Sequence, residues 1–103
     1  MASGTLGQSA PSALTYTTVY TVPGSVTATV NVNIVNRGTS AGFVRFAVAA
    51  AATPTNAEFI EYDAYLEPNQ ILERSGIVMS TGKLLVAYCS TANFSVNVYG
   101  FES

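Results

Sequence analysis

The chain has 103 residues, with four basic and six acidic side chains and a formal net charge of −2. This length suits one hydrophobic core, and the few scattered charges form no basic stripe that could neutralise nucleic-acid phosphates. Charged residues make up only 10% of the chain, so its surface is weakly protected against association. We therefore expect one domain that works in an assembled state, with no nucleic-acid partner.

Membrane insertion and the common catalytic centres are also disfavoured. The apolar runs are far shorter than the roughly 18–20 residues of a membrane-spanning helix, and the N-terminus lacks the layout of a signal peptide. We expect no membrane partner and synthesis in a cytoplasm. The chain has no histidine and one cysteine, Cys89, which excludes Ser–His–Asp and Cys–His centres and an intramolecular disulfide. Cys89 is predicted to be a small buried apolar residue.

Residues 1–13 are mostly serine, glycine, alanine and proline with a single leucine, Leu6. Such a composition cannot bury enough apolar surface to fold by itself. We therefore predict an extended N-terminal arm over residues 1–13, which a neighbouring chain would hold in place, and a folded domain over residues 14–103. The candidate partner-binding residues at this end of the chain are Leu6, Gln8, Pro11 and Leu14.

Alternation of apolar and polar residues predicts strands through most of the remaining chain. The clearest case is residues 25–36, where valine, alanine and isoleucine alternate with threonine and asparagine. The polar face of this strand is consistent with a solvated sheet or with a contact between subunits. Turn signals separate the apolar runs. The predicted strands are residues 16–22, 25–36, 43–50, 58–66, 71–79, 84–89 and 94–99.

The same pattern assigns residues to faces. It places Tyr20 and Val22 on one face of their strand together with Tyr16, and it places Tyr62 with Leu66 on one face of another strand. The opposite face of residues 43–50 and 58–66 carries Phe43, Arg45, Ala47, Phe59, Glu61, Asp63 and Tyr65. We interpret the tyrosines as core and sheet-edge packing in preference to a sugar-stacking surface.

The fold class follows from the number and spacing of these strands. Seven or eight short strands with regular turns, and no amphipathic helix, leave no room for the helical crossovers of a parallel sheet. The sequence therefore predicts an all-β domain, an antiparallel β-sandwich or jelly-roll-like fold with an extended N-terminal arm.

Four carboxylates near the middle of the chain are candidates for a calcium site or a glycosidase pair. They lie on a predicted strand, whereas calcium loops place acidic residues in turns. We therefore favour a charged strand edge that discourages wrong pairing. The only lysine, Lys83, follows Gly82 in a predicted hairpin, which is not a phosphate-binding loop. We predict no enzymatic activity, no metal and no cofactor. The four carboxylates are Glu58, Glu61, Asp63 and Glu67.

Several short motifs occur in a characteristic order along most of the chain. They are Tyr20-Thr21-Val22-Pro23-Gly24, Asn36-Arg37-Gly38, Ile60-Glu61-Tyr62-Asp63, Leu66-Glu67-Pro68-Asn69, Leu72-Glu73-Arg74-Ser75-Gly76 and Val98-Tyr99-Gly100-Phe101-Glu102. In this order they resemble small β-sandwich virion structural proteins of tailed bacteriophages, which serve as decoration, cement or tail-appendage proteins. None of these motifs is catalytic.

The resemblance implies a virion protein, made in the host cytoplasm, that forms a homo-oligomer, expected to be a trimer. Its implied partner is the phage major capsid protein, whose neighbouring subunits it would clamp to stabilise the shell. Arg37, Arg45 and Arg74 complete the candidate partner-binding residues, since each could pair with a carboxylate across a sheet or a subunit boundary. Two alternatives remain open: a tail, neck or baseplate component, and a carbohydrate-binding module of a tail fibre.

Overall fold

Eight antiparallel strands form two four-stranded sheets that pack face to face, which confirms the predicted all-β sandwich. The computed structural model describes residues 2–103. A single 3-10 turn, Asn56–Glu58, precedes the fifth strand. The strands are β1 (Ser3–Ser9), β2 (Thr17–Thr21), β3 (Ala28–Asn36), β4 (Gly42–Ala49), β5 (Phe59–Leu66), β6 (Ile71–Met79), β7 (Leu84–Cys89) and β8 (Phe94–Glu102).

The strand order is that of a jelly roll. One sheet has the order β1-β8-β3-β6 and the other has the order β2-β7-β4-β5. The chain is thus a long hairpin folded over itself: β1 pairs with β8, β2 with β7, β3 with β6 and β4 with β5. Two further pairings, β3 with β8 and β4 with β7, join these hairpins into sheets. Eight strands in two sheets with this connectivity define the jelly-roll architecture.

The core lies between the sheets and follows the predicted alternation. Strand β3 alternates strictly between buried and half-buried residues, because one face of each sheet packs inward and the other faces outward. Cys89 is buried in this core, as predicted, and burial raises the pKa of its thiol to about 12. The largest fully buried side chains are Phe46, Phe94, Ile34, Met79 and Leu85.

The N-terminal segment differs from the prediction. Its residues 3–9 form strand β1, which pairs with β8 along its whole length, so this part of the predicted arm belongs to the chain's own sandwich. Backbone hydrogen bonds hold the strand, and these do not depend on side-chain composition. Gly7 permits the strand to approach β2, since a Cβ at this position would lie 2.3 Å from the carbonyl oxygen of Val19. The sandwich therefore begins near residue 3 and not at residue 14.

Two strands carry β-bulges that change the predicted faces. In β2 the register shifts between Thr18 and Tyr20, and the extra residue turns Tyr16 to the outer face while Tyr20 remains buried. In β5 the register shifts twice, so Tyr62 is exposed whereas Leu66 is buried. A bulge inserts one residue and thereby reverses the facing of the residues beyond it.

The carboxylate of Glu102 joins β8 to β2 and to the start of β1. We predict that the stability this contact provides is lost in acid. It accepts a hydrogen bond of 2.6 Å from the Tyr20 hydroxyl and one of 3.0 Å from the backbone N–H of Ala2. These two bonds lower the pKa of Glu102 below its ordinary value of 4.5. Because the folded state has the lower pKa, this stabilisation is present above pH 4.5 and is lost as the pH falls through the folded pKa.

Urea unfolding measured at a series of pH values checks this prediction. We expect the unfolding midpoint of the wild-type protein to fall steadily below pH 4.5, and the Glu102→Gln variant to show a flatter dependence from a lower starting point. Parallel pH profiles for the two proteins would contradict the assignment to Glu102.

Candidate binding surface

An aromatic surface covers part of the outer face of the β2-β7-β4-β5 sheet, with one arginine at its centre. We call it the aromatic face, and it comprises Tyr16, Phe43, Arg45, Phe59, Tyr62, Asp63, Tyr65 and Tyr88. Three of its rings are strongly exposed: Phe43 at 47%, Tyr62 at 57% and Tyr65 at 56%. Exposed aromatic side chains clustered on one sheet face indicate a surface that binds something.

Arg45 is fixed by four of these residues. Its Nε donates to Oδ1 of Asp63 at 2.6 Å and its Nη2 donates to Oδ2 at 3.3 Å, which forms a bidentate ion pair. Its Nη1 donates to the Tyr16 hydroxyl at 3.0 Å. The guanidinium carbon also lies 4.1 Å from the ring centre of Tyr62 and 4.7 Å from that of Tyr88. These contacts hold the arginine in one conformation.

The bulge in β5 creates this arrangement. Val44 pairs with Ala64 and Phe46 pairs with Glu61, so two residues of β5, Tyr62 and Asp63, lie opposite the single residue Arg45. Asp63 adopts a left-handed backbone conformation with a φ of 53°, which aspartate tolerates better than most residues. A bulge of this kind aims two consecutive side chains at one partner.

The remaining rings extend the surface on both sides of Arg45. Phe43 and Tyr65 meet edge to face at 5.6 Å, and Phe59 packs against the ring of Tyr62 at 5.0 Å. On the other side, Tyr16 and Tyr88 lie 4.6 Å apart. Because Asp63 balances the charge of Arg45, the aromatic face is electrically neutral. It therefore offers broad apolar contact area, with hydrogen-bonding groups at its centre, to an uncharged partner surface.

The two other predicted arginines have internal partners. Arg37 donates from Nη2 to the carbonyl of Ala92 at 3.2 Å, and this ties the β3–β4 turn to the β7–β8 turn. Arg74 of β6 forms an ion pair with Glu61 of β5, which links the edge strands of the two sheets. Of the three arginines, Arg45 alone belongs to the aromatic face.

Of the predicted residues at the N-terminal end, Leu6 and Gln8 lie on β1 of the other sheet, whereas Pro11 and Leu14 lie in the segment that leads to β2. The backbone N–H of Leu14 donates a hydrogen bond of 2.8 Å to the carbonyl of Cys89 at the end of β7. Leu6 is half-buried and packs against the core, and Gln8 donates a hydrogen bond of 2.8 Å to Oδ1 of Asn97 on β8. Pro11 is buried. Leu14 is 65% exposed, so among these four it is the residue most available to a partner.

The carboxylates considered for catalysis or calcium binding are held apart by different partners. Glu61 pairs with Arg74 and Asp63 pairs with Arg45. Glu58 accepts hydrogen bonds from the backbone N–H groups of Thr55 and Ala50, which lower its pKa. Within residues 2–103 no three histidine, cysteine or acidic side chains come together as metal ligands would.

The aromatic face was not predicted as a binding surface, although part of its signal was present in the sequence. The alternation placed Phe43, Arg45, Phe59 and Tyr65 on the faces opposite the core. Several aromatic residues on a predicted outer face indicate contact with a partner more strongly than they indicate internal packing.

Comparisons of this chain with protein families, with curated proteins and with solved structures find no match. Across residues 2–103 there is no helix of the length and hydrophobicity required to cross a membrane.

Proposed function

We propose that this chain is a bacteriophage virion structural protein, a capsid decoration or cement protein that binds neighbouring major capsid subunits and stabilises the shell. The observation that carries the proposal is the aromatic face: exposed Phe43, Tyr62 and Tyr65 surround the fixed, charge-balanced Arg45. Tyrosine, phenylalanine and arginine are enriched at protein interfaces, and tyrosine and arginine are among the residues that contribute most of the binding energy there. The aromatic face is the surface that contacts the capsid in this proposal.

The fold and the composition support the same role. Jelly rolls with eight strands occur in viral capsid proteins and in lectins, although a fold by itself does not specify a function. The low charge content of the chain suits a protein that is surrounded by other chains. Repeated weak contacts across a shell add up through avidity. In this role the protein is a homo-oligomer, a trimer, located in the virion, and it has no enzymatic activity.

A position in the tail, neck or baseplate is the alternative within the same class. The copy number per virion, measured by quantitative mass spectrometry of purified particles, distinguishes the two positions. A shell protein is present in numbers close to those of the major capsid protein, whereas a tail protein is present in far fewer copies. Absence from the particles would contradict both forms of the proposal.

A glycan-binding module is the second candidate function, and the exposed ring of Tyr62 is the observation that favours it. Aromatic rings stack on sugars, and the Arg45–Asp63 pair beside Tyr62 could hydrogen-bond sugar hydroxyls. A glycan array with the purified protein tests this candidate. Binding to a defined glycan that is lost in Tyr62→Ser would favour the module over the capsid role.

Re-binding to particles depleted of the protein tests the aromatic face directly. We expect the double variant Phe43→Ser/Tyr65→Ser to bind roughly 30-fold more weakly than the wild-type protein, because it removes two exposed rings of the size that dominates interface energies. Val78→Ser is the matched control, since Val78 is 67% exposed on β6 of the other sheet. We expect this control to bind normally.

Circular dichroism of both variants verifies that they are folded. Equal binding by the double variant and the control would show that the aromatic face does not contact the capsid.

A further inference from the structure

Strand β1 is held in its sheet almost entirely through its backbone. Its residues are small or polar apart from Leu6, and Leu6 is the only one whose side chain packs against the core. Strands that are rich in glycine and polar on both faces have weakly specified pairing and are prone to exchange between chains. Because β1 lies at a sheet edge, it can leave without disturbing the order of the other seven strands.

The surface that receives β1 is built entirely by other parts of the chain. Strand β8 provides the hydrogen-bonding edge, with Asn97 bonded to Gln8, and the Glu102 carboxylate receives the N–H of Ala2. The carbonyl of Val19 on β2 lies against Gly7. The β1 of a second copy would meet the same groups in the same register. Exchange therefore replaces each contact with an identical one.

The segment between β1 and β2 contains a strained turn. Leu14 has a φ of 55°, a left-handed conformation that is unfavourable for a residue with a Cβ. Its side chain is also 65% exposed. A chain that runs extended through residues 13–14 relieves this strain and carries β1 away from its own β8. The turn thus favours a form in which β1 pairs with β8 of another copy. The high local concentration of β1 near its own β8 favours the form in which both strands belong to one chain.

We infer that β1 is exchanged between copies of this chain, so that the β1 of one copy completes the β1-β8-β3-β6 sheet of the next. The inference rests on the homo-oligomer of the proposed function and specifies how its copies are joined. Exchange of an identical element is a low-cost route to an oligomer, and an exchange from head to tail closes into a ring such as a trimer. Every copy in the ring keeps its β8 edge covered.

Two variants, each with one added cysteine besides the buried Cys89, test the exchange in the full chain. Gln8 and Asn97 are direct cross-strand partners, and paired positions on neighbouring strands are close enough for a disulfide. When Gln8→Cys and Asn97→Cys proteins are unfolded, mixed, refolded together and mildly oxidised, a disulfide between the two added cysteines can form only between chains. A short C-terminal tag on one variant separates the covalent heterodimer from homodimers on a non-reducing gel.

The control mixture combines Asn33→Cys with Asn97→Cys. Asn33 is the cross-strand partner of Asn97 on β3, which belongs to the interior of the sheet and stays within its own chain. We expect at least a tenfold greater yield of heterodimer from the Gln8→Cys mixture than from this control. The wild-type protein, whose Cys89 is buried, is expected to remain uncrosslinked.

Light scattering of the wild-type protein and re-binding to particles separate the possible failures. Equal yields from the two mixtures, in a protein that is oligomeric, would overturn strand exchange and leave the homo-oligomer and the capsid role standing. A protein that is monomeric at every concentration and gives equal yields would overturn strand exchange and the homo-oligomer together. A high yield from the Gln8→Cys mixture without binding to particles would support exchange and remove the capsid role.

Discussion

Replacing Gly100 with alanine is expected to lower the thermal midpoint of unfolding by roughly 10–25 °C, because it forces two strands apart in the middle of a sheet. A Cβ at this position would lie 2.0 Å from the carbonyl oxygen of Thr29 and 2.9 Å from Cα of Val30. Both atoms belong to the backbone of β3, which pairs with β8 on both sides of the contact. Backbone atoms cannot avoid the clash by a change of side-chain rotamer, so β8 and β3 must shift relative to each other.

The conformation of Gly100 adds to the cost. Its φ of 153° is unfavourable for any residue with a Cβ. Overpacking in a well-packed region costs about 1–3 kcal/mol, and the backbone strain brings the total to about 3 kcal/mol or more. For a domain of this size 1 kcal/mol corresponds to roughly 4–8 °C in the midpoint, which gives the range stated above.

Gly24→Ala is the matched control for Gly100→Ala. Gly24 lies in an exposed turn, and a Cβ added there meets no atom within 4 Å. We expect its thermal midpoint to stay close to that of the wild-type protein, as surface substitutions do. Calorimetry of the three proteins checks the prediction. Similar midpoints for the two alanine variants would show that β8 and β3 can separate at little cost.

Strands β2 to β8 could be predicted from the sequence because short apolar or alternating runs are separated by turn signals. In β3, valine and isoleucine alternate with asparagine and threonine, and the alternation itself marks both the strand and the inward side chains. Strand β1 has no such signal. It is a strand because it forms backbone hydrogen bonds with the edge of β8, which is distant in the sequence. A local sequence pattern cannot indicate a pairing with such a distant partner.

The aromatic face could be predicted only in part, for a different reason. Phe43 and Tyr65 fall on the predicted outer faces, but the alternation predicts Tyr16 and Tyr62 on the same faces as the core residues Tyr20 and Leu66. Each of these two tyrosines lies on the far side of a bulge, and one inserted residue reverses the facing. Asp63 allows the β5 bulge by adopting a left-handed backbone conformation. Nothing in its sequence neighbourhood distinguishes it from an ordinary strand residue.

Asn36→Ala is expected to destabilise the protein by about 3 kcal/mol, because Asn36 is a fully buried polar residue whose side chain joins two turns. Its Nδ2 donates to the carbonyls of Ser40 and Leu66 at 2.9 and 3.1 Å, and its Oδ1 accepts from the N–H of Gly38 at 2.9 Å. Alanine leaves these three backbone groups without their partner. Each buried group that loses its hydrogen bond costs about 1–3 kcal/mol.

Asn33→Ala is the control for this prediction, since Asn33 lies on the outer face of the same strand and is only half-buried. We expect it to change the stability by less than about 0.5 kcal/mol. Urea unfolding at neutral pH measures both variants. Equal midpoints for Asn36→Ala and Asn33→Ala would mean that the two turns do not depend on the Asn36 side chain.

Asn36→Asp separates loss of the hydrogen bonds from loss of side-chain volume, because aspartate has the same shape as asparagine. Its carboxylate would face the carbonyl oxygens of Ser40 and Leu66, so burial and repulsion would raise its pKa in the folded state. A raised folded pKa means that the variant loses stability as the pH rises above the unfolded value of about 3.9. We therefore expect the stability of Asn36→Asp to be closer to that of the wild-type protein at pH 4 than at pH 7. The loss of stability in Asn36→Ala, relative to the wild-type protein, should not depend on pH. If the loss of stability in Asn36→Asp were independent of pH, it would contradict the two hydrogen bonds that Nδ2 of Asn36 donates to the carbonyls of Ser40 and Leu66.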